Sequence, residues 1–235
     1  MVKGIYDAAR SMISRQKNVE ITANNLANIN TTGFKRSIPF SEIISREDGI
    51  SEVQITDFSE GVFTETGNTL DLAVSEKSFF MVETEKGIEL TNNGKFKISD
   101  DGYLINEDGY YVVTEKGRVN VLDSVAEVDR NLKINKNGEI QIGDTVIDKL
   151  LIAKIEDQTK MMRSDKQKFL IPDGGYSLAA TGSYEVFQGY VEESNVNPIV
   201  EMQNLITINK DYEAAQKMVS SLDNIMGKAR EVGRL

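Results

Sequence analysis

The sequence predicts an α+β protein in which two long terminal helices flank a central, mainly antiparallel β domain. Near both ends of the 235-residue chain, apolar residues recur at alternating spacings of three and four, the periodicity of a helix with a heptad repeat. From about residue 61 the period falls to two, and Asn-Gly and Asp-Gly pairs separate short β-prone runs. We therefore assign residues 1–36 and 195–235 to one discontinuous helical domain, 37–60 to a linker or extension, and 61–194 to a β-rich domain.

The N-terminal helix is predicted from a row of apolar residues that is interrupted only at Gln16. The row consists of Val2, Ile5, Ala9, Met12, Val19, Ala23 and Leu26. It leads into an Asn- and Thr-rich segment that ends at Gly33. Asn and Thr side chains compete for backbone hydrogen bonds, and glycine permits a positive φ. This segment should therefore end the helix, and Gly33 should serve as a hinge or turn.

The C-terminal helix has the more regular pattern. Asn197-Pro198 indicates its start, because Pro is tolerated in a first helical turn. The apolar row that follows has no interruption, and it consists of Leu205, Ile208, Tyr212, Ala215, Val219, Leu222, Met226 and Ala229. The opposite side of the helix is polar, which indicates an amphipathic helix.

Both rows are narrow, and a narrow row is more typical of a coiled-coil partner than of a helix lying on a globular core. We predict an assembly interface in which the first row faces the second, within one chain or between neighbouring copies. Its residues are Ile5, Met12, Val19, Leu26, Leu205, Ile208, Tyr212, Val219 and Leu222. The alternative is a pair of ordinary amphipathic helices that cap the β domain.

The middle of the chain is predicted to form an antiparallel meander. Its first turn glycines, at 94, 102, 109 and 117, follow one another at intervals of eight, seven and eight residues. The predicted strands are 70–74, 79–83, 96–98, 103–105, 110–113, 119–122, 132–135, 139–142, 150–155 and 184–190. Residues 156–170 are charged and weakly patterned, so we expect a loop with a helical turn there.

The composition excludes several kinds of chemistry. The chain has no Cys and no His, and therefore no disulfide, thiol nucleophile, His-based triad or imidazole ligand. The acidic turns at 100–102 and 106–109 resemble parts of a Ca²⁺ loop but lack its residue order, and hairpin turns require the same residues. A carboxylate pair for glycoside hydrolysis stays open, although no pair stands out. We expect no catalytic residue, no metal and no cofactor.

The charge is unevenly distributed along the chain. Residues 1–36 carry six Lys/Arg and two acids, whereas residues 37–194 carry 16 Lys/Arg and 30 acids. An acidic middle argues against nucleic-acid binding, which requires a basic face. No stretch approaches about 20 consecutive apolar residues, and charges interrupt the N-terminal region. We therefore expect neither membrane insertion nor a cleaved signal peptide.

Two terminal motifs carry a family resemblance. One covers residues 24–28 and 31–35; the other covers 193–198, 201–202 and 210–217. Together they resemble the signatures of flagellar basal-body rod and hook proteins, and residues 66–74, 78–82, 93–96 and 101–104 resemble the family's β domain. The motif residues taken over from this resemblance are Asn24, Asn25, Ala27, Asn28, Gly33, Phe34, Asn195, Asn197 and Pro198.

The resemblance implies a structural protein of the rod, in the periplasmic space, that assembles helically through its terminal helices and transmits torque. The implied partners are further copies, other rod and hook proteins, and the flagellar export apparatus. The short stretch between Lys35 and Gly61 and the ending 227–234 favour the proximal rod type. The alternatives are a distal rod or hook-type protein and, more remotely, a β-domain enzyme or carbohydrate-binding module with dimerisation helices.

Overall fold

The computed structural model describes the backbone of residues 2–42, 51–75, 77–121, 132–165, 167–171 and 175–232. Within these ranges the side chains of residues 2, 3, 5, 39–42, 51–54 and 229–232 lie outside the description. The chain divides into two compact units. The helical unit comprises Met1–Asn28, Ser37–Asp57 and Val196–Leu235, and the β unit comprises Ile29–Arg36 and Phe58–Asn195.

The helical unit contains two long helices and a hairpin. Helix α1 spans Val2–Ala27 and α2 spans Pro198–Val232. Strands β1 (Ser37–Glu42) and β2 (Ser51–Thr56) pair antiparallel, with Ile38 opposite Ile55 and Phe40 opposite Val53. We predicted a linker or extension over 37–60, and the structure places this hairpin there. The alternation of apolar residues in each strand is short, and the eight residues between the strands conceal it.

The β unit is built from short strands. In chain order they are β3 (Phe63–Glu65), β4 (Leu72–Val74), β5 (Ser78–Thr84), β6 (Gly87–Thr91), β7 (Phe96–Ile98), β8 (Leu104–Asn106), β9 (Tyr111–Thr114), β10 (Gly117–Arg118), β11 (Leu132–Ile134), β12 (Glu139–Ile142), β13 (Thr145–Lys149), β14 (Ile152–Lys154), β15 (Met162–Asp165), β16 (Lys168–Leu170), β17 (Ser177–Leu178), β18 (Val186–Gln188) and β19 (Tyr190–Glu192). All the pairings between these described strands are antiparallel.

The main sheet is not a simple meander, and the predicted order is wrong in this respect. Its strands follow the order β15-β16-β6-β5-β9-β8-β7. Strand β5 is central: β6 pairs along one edge, while β14 and β9 share the other. Turn signals fix which neighbours form hairpins, but distant pairings such as β5 with β14 leave no local mark on the sequence.

The region 156–170 is only partly a loop. A 3₁₀ turn at Gln158–Lys160 confirms the predicted helical turn. The strands β15 and β16 follow it, and β16 pairs with β6. The prediction missed both strands because the region as a whole is charged and weakly patterned. Conversely, the predicted strand over 119–122 is absent from its described part, residues 119–121.

The β unit has apolar cores on both faces of β5. Phe80 packs in one cluster with Phe96, Leu104 and neighbouring strands, while Phe79 and Met81 pack in a second cluster with Phe169. Alternate residues of a strand point to opposite faces, so a strand covered on both sides is apolar throughout. The run Phe79–Val82 is buried for this reason.

Candidate assembly elements

The two helices of the helical unit lie antiparallel and in contact. Three residue pairs mark the pairing along its length. A Cβ placed on Gly4 would lie 3.9 Å from Leu222 Cδ1, Arg15 bonds with Asp211, and Asn25 bonds with Glu201. From one pair to the next, the residue number rises by 11 and then by 10 along α1 and falls by the same amounts along α2. The helices therefore stay side by side over this whole stretch, about six turns of α2 at 3.6 residues per turn.

The inward row of α1 agrees with the predicted row at Met12, Val19 and Leu26, which are half-buried. The side chain of Ile5, the remaining predicted interface residue of α1, lies outside the described side chains. Between these positions the row does not run through Ala9 and Ala23, which are exposed. The inward positions are Ala8, Arg15 and Thr22. Each lies one residue before the position that the predicted spacing gives, namely 9, 16 and 23. Two of these are polar, so apolar periodicity alone could not identify them.

The row of α2 follows the predicted positions closely. Every member with a described side chain is half-buried: Leu205, Ile208, Tyr212, Ala215, Val219, Leu222 and Met226. Most intervening residues are exposed. Pairing with α1 therefore covers only part of this row in the single chain.

Both helices also expose large apolar side chains outside these rows. Tyr6 and Ile13 lie seven residues apart on α1 and are 73% and 57% exposed. On α2 the exposed set is Ile199, Val200, Met202, Ile206, Met218 and Ile225. Scattered exposed apolar residues are common, but several on one helix pair indicate a surface that another molecule covers.

Asn25 is the buried polar anchor of the helical unit. Its Nδ2 donates to the Ser37 carbonyl and its Oδ1 accepts from the Ser37 amide, both at 2.9 Å. The side chain thus satisfies the same two backbone groups that a neighbouring strand would satisfy. Its Nδ2 also lies 3.4 Å from Glu201 Oε2. Asn25 therefore ties the end of α1 to the start of β1 and the first turn of α2.

The other motif residues at the end of α1 are more exposed. Asn28 donates from Nδ2 to the Asn24 carbonyl at 2.8 Å, while its backbone amide donates to the Asn25 carbonyl at 3.0 Å. These bonds satisfy carbonyls that a helix end leaves without partners. The side chains of Asn24 and Ala27 are exposed. Asn24 therefore acts through its backbone carbonyl.

Asn197 is the N-cap of α2. Its Oδ1 accepts from the amides of Ile199 and Val200 at 3.0 and 3.3 Å, which are two of the free donors at a helix start. Pro198 occupies the first helical position, where its missing amide costs nothing. The predicted helix start is therefore confirmed with its physical cause.

In the β unit, the segment that follows α1 is held by a buried ion pair. Lys35 Nζ lies 2.7 Å from Glu192 Oε1, with side chains 3% and 1% exposed. Lys35 Nζ also donates to the Ser59 carbonyl at 3.0 Å, and the Gly61 amide donates to Glu192 Oε1 at 2.8 Å. A buried ion pair is tolerated only when such additional bonds satisfy its remaining groups.

Gly33 sits where a side chain has no room. Its φ is +68°, and a Cβ would lie 2.5 Å from the Asn92 carbonyl carbon and overlap the Asn93 backbone. Its amide donates to the Glu192 carbonyl at 2.7 Å. Gly33 therefore forms a tight turn within the β unit. A turn was one of the two roles predicted for this residue, the other being a hinge.

Phe34 and Asn195 belong to the same group of contacts. Phe34 is buried, and the Arg163 guanidinium lies 4.9 Å from its ring centre. Arg163 also donates to the Lys35 carbonyl at 2.6 Å, and burial lowers the pKa of its guanidinium below the usual value. Asn195 Oδ1 accepts from the Arg36 amide at 2.7 Å. The Asn195 amide also donates to the Phe34 carbonyl at 3.4 Å, so the two terminal motifs are hydrogen-bonded to each other.

Sequence reasoning missed the charged members of both units. Glu192, Glu201, Arg15 and Arg163 were not selected, although each is buried or half-buried and bonded. No local pattern distinguishes these residues from the many surface charges. Lys35 and Glu201 lie within the two motifs but were given no role. Their place in motifs built from small and polar residues was the one indication in the sequence that they form specific contacts.

Two further features of the described residues bear on function. No group of three or more Asp or Glu side chains among them is arranged to hold a metal ion. Within the same parts of the chain, neither helix is sufficiently long and apolar to cross a membrane.

Comparison with known families gives three matches along the chain. Residues 5–35 match the family described as flagella basal body rod protein. Residues 73–142 match the flagellar hook protein FlgE/F/G D1 domain. Residues 188–232 match the flagellar basal body rod FlgEFG protein C-terminal family. The outer matches contain the two terminal motifs, and the central match lies in the β unit.

Full-length relatives agree with these matches. The flagellar basal-body rod protein FlgF of Rhizobium meliloti is 26% identical over 238 residues, covering 98% of each chain. FlgF of Caulobacter vibrioides is 25% identical over 247 residues, also covering 98% of each. The rod protein FlgG of Agrobacterium fabrum is 28% identical over 260 residues, covering 95% of this chain and 97% of its own. With both terminal motifs, the central domain and full-length relatives in agreement, the chain belongs to the flagellar basal-body rod protein family.

Proposed function

We propose that this protein is a structural subunit of the flagellar rod that assembles helically through α1 and α2 and transmits torque across the periplasm. The observation that carries the proposal is the incomplete burial of the helix pair. Its inward row is half-buried and further large apolar side chains are exposed. Neighbouring copies would cover this surface, and contacts between different faces of successive copies propagate into a helix when the rotation between copies does not close a ring.

Within this assembly the predicted interface residues form the coiled-coil-like contacts. They are Ile5, Met12, Val19, Leu26, Leu205, Ile208, Tyr212, Val219 and Leu222. Tyr212 can bury its ring in the interface and keep its hydroxyl in contact with water, because its side chain is apolar along the ring and polar at the tip. The protein acts without catalysis, and its partners are further copies and other rod and hook proteins. It reaches the rod through the flagellar export apparatus.

We favour the proximal rod over the distal rod because the segment between Lys35 and Gly61 is short. The alignment lengths agree with a short segment. Relatives named FlgF align over 238 and 247 residues, near the chain's own 235. Relatives named FlgG align over 260 and 263 residues, so they contain stretches that this chain lacks.

A distal rod or hook-type subunit is the second candidate. Relatives named FlgG are as similar to this chain as those named FlgF, at 27% and 28% identity. The central match is described as a hook protein domain. Electron cryotomography of cells that lack the gene, beside complemented cells, separates these candidates. A rod that stops near the inner membrane supports the proximal rod, a longer incomplete rod supports the distal rod, and an intact rod without a hook supports a hook-type protein. Intact, rotating flagella would contradict the proposal.

The assembly role of the helix row is tested by Leu205→Asp in the complemented strain. In an assembled rod this substitution would bury an unpaired charge, at a cost of about 3–5 kcal/mol per subunit. We expect cells that do not swim, although the protein is made and stable. Leu178→Asp is the matched control, because Leu178 is 56% exposed on β17 of the β unit. Normal swimming of the Leu205→Asp strain would remove this residue from the interface.

A further inference from the structure

A cavity of about 230 Å³ lies in the β unit where the β5–β6 turn meets the β15–β16 hairpin. Glu89, Tyr110 and Lys168 line it, together with the exposed residues Glu85 and Asp165. Neither family motif includes these residues, and the assembly role proposed above does not use them.

Glu89 is the unusual member of this cavity. It lies on β6 and is only 2% exposed. Its register neighbour on β5 is Val82, which in turn pairs with Val112 of β9. Among the described residues, no donor forms a hydrogen bond with the buried atom Oε1. A carboxylate removed from water without a partner is costly, so a donor brought to Glu89 from outside the chain would stabilise it.

Lys168 is the obvious internal candidate, but its charge is directed elsewhere. Its Nζ lies 3.1 Å from Asp108 Oδ2 and 3.6 Å from Asp165 Oδ2. It also lies 4.3 Å from the centre of the Tyr110 ring. Two carboxylates and an aromatic face therefore already stabilise this ammonium. The Oε1 atom of Glu89, a residue that lines the cavity, keeps its acceptor capacity.

The net charge of the cavity also favours a cation. Glu85, Glu89 and Asp165 outnumber Lys86 and Lys168, and Lys86 Nζ is directed to Ser164 Oγ at 3.1 Å. The middle of the chain is strongly acidic, whereas residues 1–36 carry six Lys/Arg against two acids. Opposite charges on different parts of one chain favour contact between copies in an assembly.

We propose that this cavity binds a Lys or Arg side chain of a neighbouring copy, whose ammonium or guanidinium donates to Glu89. The proposal rests on the proposed function, because the neighbouring copy is a rod subunit. The volume suits one long side chain, and the Tyr110 face would contact its alkyl or guanidinium part. The N-terminal segment is the source we favour, since it is the basic part of the chain.

The cavity is tested first in the unassembled full-length protein. Propylguanidinium chloride is titrated into ¹³C-labelled protein at constant ionic strength, and the Glu side-chain carboxyl signals are followed by NMR. We expect saturable binding to the wild type and at least tenfold weaker binding to Glu89→Gln. Glu156→Gln is the control, because it removes the same charge from an exposed site outside the cavity. Absence of saturable binding to the wild type would overturn the site.

Measurements of stability and motility test whether Glu89 has a structural role instead and whether a neighbouring copy supplies the cation. Because Oε1 of Glu89 has no donor among the described residues, Glu89→Gln should be at least as stable as Glu156→Gln in urea. A clear loss of stability would instead show a structural role and overturn the proposal. In cells, Glu89→Gln should swim measurably more slowly than Glu156→Gln. Guanidinium binding with unimpaired swimming would overturn the neighbouring copy as the source. The titration is independent of the rod itself, so intact flagella in cells lacking the gene would refute the proposed function alone.

Discussion

The two units of this protein bury their apolar side chains to very different degrees. In the β unit, Phe79, Leu90 and Phe169 are almost wholly buried in one cluster. In the helical unit, Leu205 and Tyr212 are only half-buried, although their row is regular. The β unit can therefore account for its own stability within one chain, whereas the helical unit has unused apolar surface. We infer that the first supplies a folded body and that the second is completed by assembly.

The largest expected effect concerns the buried ion pair of the β unit. Lys35→Ala leaves Glu192 charged, buried and without its ammonium partner. We expect a loss of about 3–5 kcal/mol in the free energy of unfolding, measured by urea denaturation. Arg118→Ala is the matched control, because the Arg118–Glu83 pair is 48% and 43% exposed. Exposed pairs contribute about 0–1 kcal/mol.

A second variant shows whether charge or packing causes that loss. Lys35→Met with Glu192→Gln removes both charges and keeps an acceptor for the Gly61 amide, which bonds Glu192 in the native chain. Replacing a whole buried pair is often nearly neutral, so most of the stability should return. A double variant as unstable as Lys35→Ala would show that side-chain shape, rather than the unpaired charge, sets the cost.

The next effect compares the same truncation in the two units. Leu90→Ala should cost about 2–5 kcal/mol, because it creates a cavity in a closed core. Leu205→Ala should cost about 1 kcal/mol or less in the isolated chain, because its side chain is half in water already. The readouts are the urea midpoint of purified protein and swimming of complemented cells. Leu205→Ala should impair swimming far more than its small effect on stability explains. Equal losses of stability would remove the contrast between the units.

The same contrast explains how far the sequence could predict the structure. The terminal helices, the cap at Asn197 and most strands of the β unit follow from local periodicity and turn residues. The α1 row was correct at three of its five described positions, because Arg15 and Thr22 occupy inward positions that apolar spacing does not reveal. The strands β15 and β16 were missed for a related reason, since among the described strands β15 joins the sheet only through β16, and β16 pairs with β6, which is distant in the chain.

The candidate site was predictable only through the terminal motifs. Asn25, Gly33 and Phe34 were selected by resemblance, and the structure shows each with a specific contact or steric reason. Glu192, which accepts from Lys35 in the β unit, lies one residue outside the quoted motif and was not selected. Its importance depends on burial and on a partner far along the chain. One-dimensional spacing contains neither quantity.

The smallest expected effect is a dependence of the β unit's stability on alkaline pH, through Tyr184. Tyr184 is buried in the β unit and donates to the Asn137 carbonyl at 2.8 Å. Burial raises the pKa of its hydroxyl above the ordinary value of 10.0, with smaller contributions from Glu115 and Glu139. The folded state thus favours the protonated phenol. This stabilisation is complete below about pH 10 and is lost as pH rises through the raised pKa.

Tyr184→Phe should therefore lower stability by about 1 kcal/mol at neutral pH, through the lost hydrogen bond, and should reduce the further loss at alkaline pH. Urea midpoints at about pH 8 and about pH 10.5 measure both effects. Tyr6→Phe is the control in the helical unit, because Tyr6 is 73% exposed on α1. An unchanged alkaline loss in Tyr184→Phe would assign that loss to other groups. If the two units unfold in separate transitions, only the β-unit transition should respond to Tyr184→Phe, because the Tyr184 hydroxyl and its acceptor both belong to that unit.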